Sequence, residues 1–186
     1  MQKIPTLYVR DSSKRQYVTN QITAGCEWAL ADPRAVPTRK WDGTCTMLDT
    51  EGRWWARREV KTGRTAPSNF MLISTDQVTG KSMGWEPAHQ SSFARFHAEA
   101  LQNSSTLTPG TYELLGPKIN GNPDQFAGHV LMAHGWAPLS ERLDIGTAPR
   151  DYEGLRAWLL ARPYEGLVWH HPDGRRAKLK KRDLPR

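Results

Sequence analysis

Apolar and polar positions alternate in short runs along most of this chain, and glycine, proline or an Asx-Gly pair breaks the runs every few residues. Period-two alternation marks strands with one buried face, and a 3.6-residue period marks helices. Val36–Trp41 reads as a strand with Asp42-Gly43 as its turn. Thr44–Leu48 and Arg53–Val60 flank Asp49-Thr50-Glu51-Gly52, a linker suited to a hairpin. Alternation along that second strand sets Arg57 and Glu59 on one face and Arg58 and Val60 on the other. Asn69–Ser74 reads as a buried strand. Ser91–Gln102 reads as a helix capped by Ser91 or Ser92, with Phe93, Phe96 and Ala100 on one side. Thr111–Leu115 and His129–His134 read as strands separated by the turn-rich Asn120-Gly121-Asn122-Pro123-Asp124. Asp151 can cap a second helix through Ala161, whose apolar side holds Leu155, Trp158 and Leu159. Tyr164–His170 and Arg175–Lys181 form a closing hairpin around His171-Pro172-Asp173-Gly174. Residues 1–35 read as a lead-in with weak strand signals such as Tyr17-Val18-Thr19. Many short strands with two helices predict an α+β fold with largely antiparallel sheets. No repeat, low-complexity tract or linker divides residues 1–186, so one domain is expected.

Composition narrows the partners. With 26 Lys and Arg against 19 Asp and Glu, the net charge is +7, which favours polyanions. Hydrophobic residues make up 38%, with eight tryptophans, which is the composition of a packed protein rather than a disordered one. Two cysteines, Cys26 and Cys45, imply no disulfide framework and suggest a reduced, cytoplasmic protein. No apolar stretch approaches the roughly 20 residues of a membrane span, and the first residues lack a signal peptide's apolar run. A monomer is expected.

The candidate chemistry centres on Lys40-Trp41-Asp42-Gly43-Thr44-Cys45. A lysine amine can act as a nucleophile once its proton is gone, and a glycine lets the backbone turn sharply. A strand ending in an Asp-Gly turn explains the tetrapeptide equally well. Further along stand Tyr112-Glu113-Leu114-Leu115-Gly116, Glu165-Gly166-Leu167-Val168-Trp169 and Ala177-Lys178-Leu179-Lys180. Lysine, acidic, Glu-Gly-hydrophobic-Val and Lys-x-Lys motifs in this order resemble the covalent nucleotidyltransferase superfamily of ATP-dependent ligases and capping enzymes. Lys-x-Asp-Gly-Thr-Cys, Glu-Leu-Leu-Gly-x-x-Ile-Asn-Gly-Asn and Glu-Gly-Leu-Val-Trp-His look closer still to one branch, the small single-domain RNA ligases related to the vertebrate 5′-3′ RNA ligase. The resemblance runs from about Val36 to Leu184.

The resemblance implies two sheets around a nucleotide cleft and an ATP-dependent ligase joining 5′-phosphate and 3′-hydroxyl RNA ends through a lysyl-adenylate. Lys40 would be the nucleophile, with Lys178 and Lys180 neutralising the α-phosphate. Glu165 would hold Mg²⁺ or Mn²⁺, and Glu113 would accept a hydrogen bond from the ATP ribose. Asp42 would fix the turn or pair with a cation beside the nucleotide. Many superfamily members carry arginine where this chain has Cys45, and Arg57, Arg58 or Lys61 would then supply the nucleotide-binding charge. A solvated edge strand accounts for those cations equally well. Leu131, Met132 and Trp136 are candidates for an adenine slot, but core packing is the better account of any one of them. His129, His134, His170 and His171 lack the spacing of a zinc motif. A DNA ligase or a capping guanylyltransferase shares the lysine chemistry, and a non-catalytic basic nucleic-acid-binding module explains the charge and the tryptophans but not four ordered motifs.

Overall fold

In the computed structural model, which describes residues 3–136 and 138–185, the elements in chain order are β1 (Tyr8–Arg10), β2 (Val18–Ile22), α1 (Trp28–Ala31), β3 (Val36–Lys40), β4 (Thr44–Leu48), β5 (Trp54–Val60), β6 (Met71–Thr75), β7 (Ser82–Pro87), α2 (Ala94–Gln102), β8 (Gly110–Leu115), β9 (Val130–Ala133), α3 (Leu139–Ile145), α4 (Tyr152–Leu160), β10 (Gly166–His170) and β11 (Arg176–Lys180). The strands within each sheet pair antiparallel, so the class is α+β with antiparallel sheets. The chain forms two compact units. One is Asp42–His134; the other joins Lys3–Trp41 to the segment from Gly135 onward. No described helix is long and apolar enough to cross a membrane.

In the unit that joins Lys3–Trp41 to the segment from Gly135 onward, β3, β10 and β11 form a three-stranded sheet in the order β11-β10-β3. One face of this sheet is core. Leu167, Ala177 and Leu179 are fully buried, and they pack with Leu155 and Leu159 of α4. Asp151 caps α4 as expected, its Oδ1 accepting from the Gly154 amide at 2.8 Å. Leu155, Trp158 and Leu159 are the buried side of that helix.

Residues 1–35 are more than a lead-in. Leu7, Tyr8 and Val18 are buried members of this core. The Leu7 amide donates to Lys178 O at 2.7 Å and the Lys178 amide to Pro5 O at 3.0 Å, so the first segment lies along β11. Leu7-Tyr8-Val9 is a run of only three apolar residues, too short to show a periodicity.

The second unit is a six-stranded sheet in the order β6-β7-β5-β4-β8-β9. The expected β4–β5 hairpin forms, with Thr46 opposite Ala56. One face carries Thr46, Ala56 and Leu114, all fully buried, and Leu114 packs with Ala100 of α2 while Phe93 and Phe96 lean on the same cluster. The helix starts at Ala94, after Phe93, without a side-chain cap; Ser91 instead bonds Ala88 O at 2.8 Å. The predicted buried strand 69–74 is the sheet's edge, shifted to Met71–Thr75 and largely exposed. Its apolar run met the rule for a buried strand, but only β7 pairs with it. Asp42-Gly43 closes no hairpin between its flanking strands: β3 pairs with β10, whereas β4 pairs with β5 and β8.

Candidate functional site

The predicted residues fall into two groups, one in each unit. The first is on the polar face of the three-stranded sheet. Gly166 of β10 is opposite Lys40 on one side and Lys180 on the other, and Val168 is opposite Thr38 and Lys178. Directly paired residues share a face, and residues two apart repeat it. Thr38, Lys40, Lys178 and Lys180 therefore stand on one side, while Arg39, Leu167 and Leu179 point to the other.

Glu165, just before β10, brings the lysines together. Its Oε2 accepts from Lys40 Nζ in a short, charged hydrogen bond, and its Oε1 accepts from Lys180 Nζ at 2.8 Å. All three side chains are between 12% and 20% exposed, so these charge-assisted bonds are shielded from bulk water. Lys40 Nζ also donates to Trp41 O at 3.2 Å. Gly166 is required by close approach, since a Cβ there would stand 2.1 Å from Leu179 O. Lys178 shares the face, two residues before Lys180 on β11.

Behind the lysines is a second set of contacts that the sequence reading missed. The Arg39 guanidinium lies over the Trp41 ring at 4.0 Å and the Tyr164 ring at 4.8 Å, and its NH1 donates to Glu141 at 2.7 Å. The Tyr164 hydroxyl donates to Asp144, which also receives Arg162. Arg162 holds the Asp144 carboxyl below the usual range. Burial first, then Asp144, pushes the Tyr164 phenol up to about 12. The residues beside Lys40 and Glu165 are thus anchored by α3, a helix too short and too exposed at Leu139 and Leu143 to show a buried stripe. Trp136 lines a cavity of about 530 Å³ with Val36, Thr38, Leu139, Arg142 and Leu143.

The second group is on the six-stranded sheet. Glu113 of β8 is opposite Cys45 of β4 and Met132 of β9. Its Oε1 accepts from the Gly43 amide at 3.2 Å, and its Oε2 meets His134 Nε2 at 2.8 Å. Gly43 passes so close to β8 that a Cβ would stand 2.3 Å from Leu114 O. Asp42 fixes its loop, as expected. Asn120 Nδ2 donates to Asp42 Oδ1 at 3.1 Å and to Gly43 O at 2.8 Å, while the Asp42 amide donates to Asp124 at 3.2 Å. The turn-rich segment 120–124 thus has a definite task, visible beforehand only as a cluster of turn formers.

The same sheet distinguishes the three alternative cations, with Arg57 and Arg58 on opposite faces as alternation predicts. Arg57 is on the Cys45–Glu113 face and Arg58 on the opposite one, where it approaches buried Glu86 at 3.9 Å. Lys61 lies beyond β5 and is exposed. The adenine trio is likewise divided: Leu131 packs in the α2 cluster, Met132 points to the Glu113 face, and Trp136 belongs to the other unit. Compared with known families and characterised proteins, the sequence matches no family model and no curated protein.

Proposed function

We propose that the chain is an ATP-dependent RNA ligase of the covalent nucleotidyltransferase type, acting through a lysyl-adenylate. One observation carries the reading: three motifs widely spaced in sequence meet at one point, Lys40 and Lys180 on the Glu165 carboxylate. An ordinary basic strand face spreads its lysines into solvent, whereas these two converge on a shielded acid beside a strand end.

Lys40 is the nucleophile. An amine held by a carboxylate must give up a proton before its lone pair can attack. Lys40 Nζ then bonds to the α-phosphorus as the bond to the bridging oxygen breaks, and pyrophosphate leaves. Lys180, with Lys178 on the same face, offsets the charge gathering on the α-phosphate oxygens. Glu165 suits a hard dication, being a shielded oxygen donor among groups that would hold phosphates. Bound there, Mg²⁺ or Mn²⁺ supplies Lewis-acid charge to the phosphates. In this reading Glu113 accepts from the ribose, Asp42 holds its loop through Asn120 and Asp124, and Arg57 is the cation on the Glu113 face. In the later steps the adenylate passes to an RNA 5′-phosphate, and a 3′-hydroxyl displaces AMP.

The test is the intact mass after incubation with ATP or GTP and Mg²⁺ or Mn²⁺. One added AMP, absent in Lys40→Ala, is expected. A GMP adduct formed from GTP would indicate capping chemistry instead. Peptide mapping of the nucleotide to Lys178 or Lys180 would overturn the role of Lys40. Comparison of RNA with DNA ends then separates the two kinds of ligase.

A further inference from the structure

The neighbouring strands β4 and β8 and the residue just after β9 bring a thiol, a carboxylate and an imidazole to one point on the six-stranded sheet. Cys45 Sγ, a Glu113 carboxylate oxygen and a His134 ring nitrogen lie within 4.8 Å of one another, each residue partly buried. We propose that Cys45, Glu113 and His134 form a binding site for a single borderline-soft transition-metal dication, with Zn²⁺ the best fit. This site is separate from the Mg²⁺ or Mn²⁺ role given to Glu165, and it does not depend on the chain being a ligase.

The donor set selects the class of ion. One sulfur, one nitrogen and one oxygen suit Zn²⁺ and its neighbours, whereas Mg²⁺ and Ca²⁺ take oxygen ligands alone. Three protein ligands with a fourth position left to water is the arrangement of open zinc sites. Ligands about 2.0–2.3 Å from zinc stand within about 4 Å of each other, so small side-chain rotations close the present spacing.

The contacts around the three residues point the same way. His134 Nε2 faces Glu113 Oε2 at 2.8 Å, the pair a metal would bridge in place of the proton. His134 Nδ1 meets the Thr111 hydroxyl at 2.9 Å, which fixes the ring's orientation. A metal-bound histidine commonly has its second nitrogen held in this way. Glu113 Oε1 is anchored by the Gly43 amide at 3.2 Å. A Cys–His nucleophile pair fits less well, because both nitrogens of His134 already face Thr111 and Glu113. Arg57 shares this face of the sheet, but a thiolate and a carboxylate bring two negative charges against its one. Because both need Glu113, a metal here and a ribose hydroxyl exclude one another.

Metal-free protein should take up one equivalent of Zn²⁺ in a competition titration against a chromophoric chelator. With Co²⁺ it should show the near-ultraviolet thiolate-to-cobalt charge-transfer band. Cys45→Ser should abolish that band and weaken Zn²⁺ binding at least tenfold, and His134→Gln should weaken it similarly. Thr111→Val should cost about 10–100-fold, as other outer contacts to metal-binding histidines do. X-ray absorption at the zinc edge needs no variant and should show one sulfur at about 2.3 Å. Absence of stoichiometric binding, a zinc shell without sulfur, or a Cys45→Ser protein of wild-type affinity would each overturn the proposal. None of these readouts requires ATP or RNA, so their failure is distinct from failure of the ligase reading.

Discussion

Glu165 joins two lysines, and removing its charge is therefore a sharper probe than removing either lysine. Glu165→Gln keeps the shape but deprives Lys40 and Lys180 of their common acceptor. Self-adenylylation should slow by at least tenfold and its Mg²⁺ or Mn²⁺ dependence should shift. Wild-type rates across a metal titration would remove Glu165 from the site. A second residue-level effect lies away from the chemistry. His97 is buried, its ring 4.7 Å from Trp54, and burial holds it below the ordinary histidine range. The folded state then favours the neutral ring, while the unfolded chain takes up a proton near pH 6.5. Stability is full above that pH and falls as pH drops through it towards the folded value. Denaturant midpoints between pH 7 and 5 should show this decline, and His97→Gln should flatten it.

Among the elements, β10 and α4 are the ones on which the lysine cluster rests. Gly166→Ala drives a methyl to within 2.1 Å of Leu179 O, so β10 and β11 must separate or shift. A loss of at least about 1–3 kcal/mol is expected from urea unfolding, as for other overpacked interiors. Loss of adenylylation should accompany it, since the same pairing sets Lys180 beside Lys40. Asp151→Ala should cost about 1 kcal/mol through the lost cap and leave the lysines in register. The contrast separates damage to the unit's stability from damage to the pairing itself. Element types followed the apolar period closely, as the β4–β5 and β10–β11 hairpins and α4 attest. Exposure did not follow. The apolar residues of β6 line an edge, and Leu7 and Tyr8, which carried no pattern, are core.

For the whole molecule, the +7 charge is the determinant of RNA affinity under the proposed function. Each phosphate contact to a single strand contributes about 0.7 to the salt slope of log binding. Moderate salt should therefore suppress end sealing well before self-adenylylation, whose charges are shielded. Arg53, Arg64, Arg175 and Arg176 lie outside the motifs and are the first candidates for RNA contact. Arg53 is already paired with Asp49 and Glu51, and Arg175 with Asp173, whereas Arg64 has no ion pair among the described residues. Arg64→Ser should thus lower the salt slope of sealing more than Arg53→Ser or Arg175→Ser, with adenylylation near wild type in all three. Equal salt sensitivity of the two steps would count against an RNA surface distinct from the nucleotide site.

The amino-acid sequence by itself determined most of the strands, β1 and β7 excepted, the two main helices, the Asp151 cap and the order of the four motifs. These depend on neighbours within a few residues: side-chain alternation, capping groups and turn formers. Alternation also set which residues share a face, and so it separated Arg57 from Arg58. Only the tertiary structure decided which strands adjoin. Lys40 reaches Glu165 because β3 pairs with β10 across more than a hundred residues. Cys45, Glu113 and His134 meet because β4, β8 and β9 are neighbours in one sheet. Period-two patterning specifies a face and leaves the partner open, since strand order and register are selected by burial summed over distant segments.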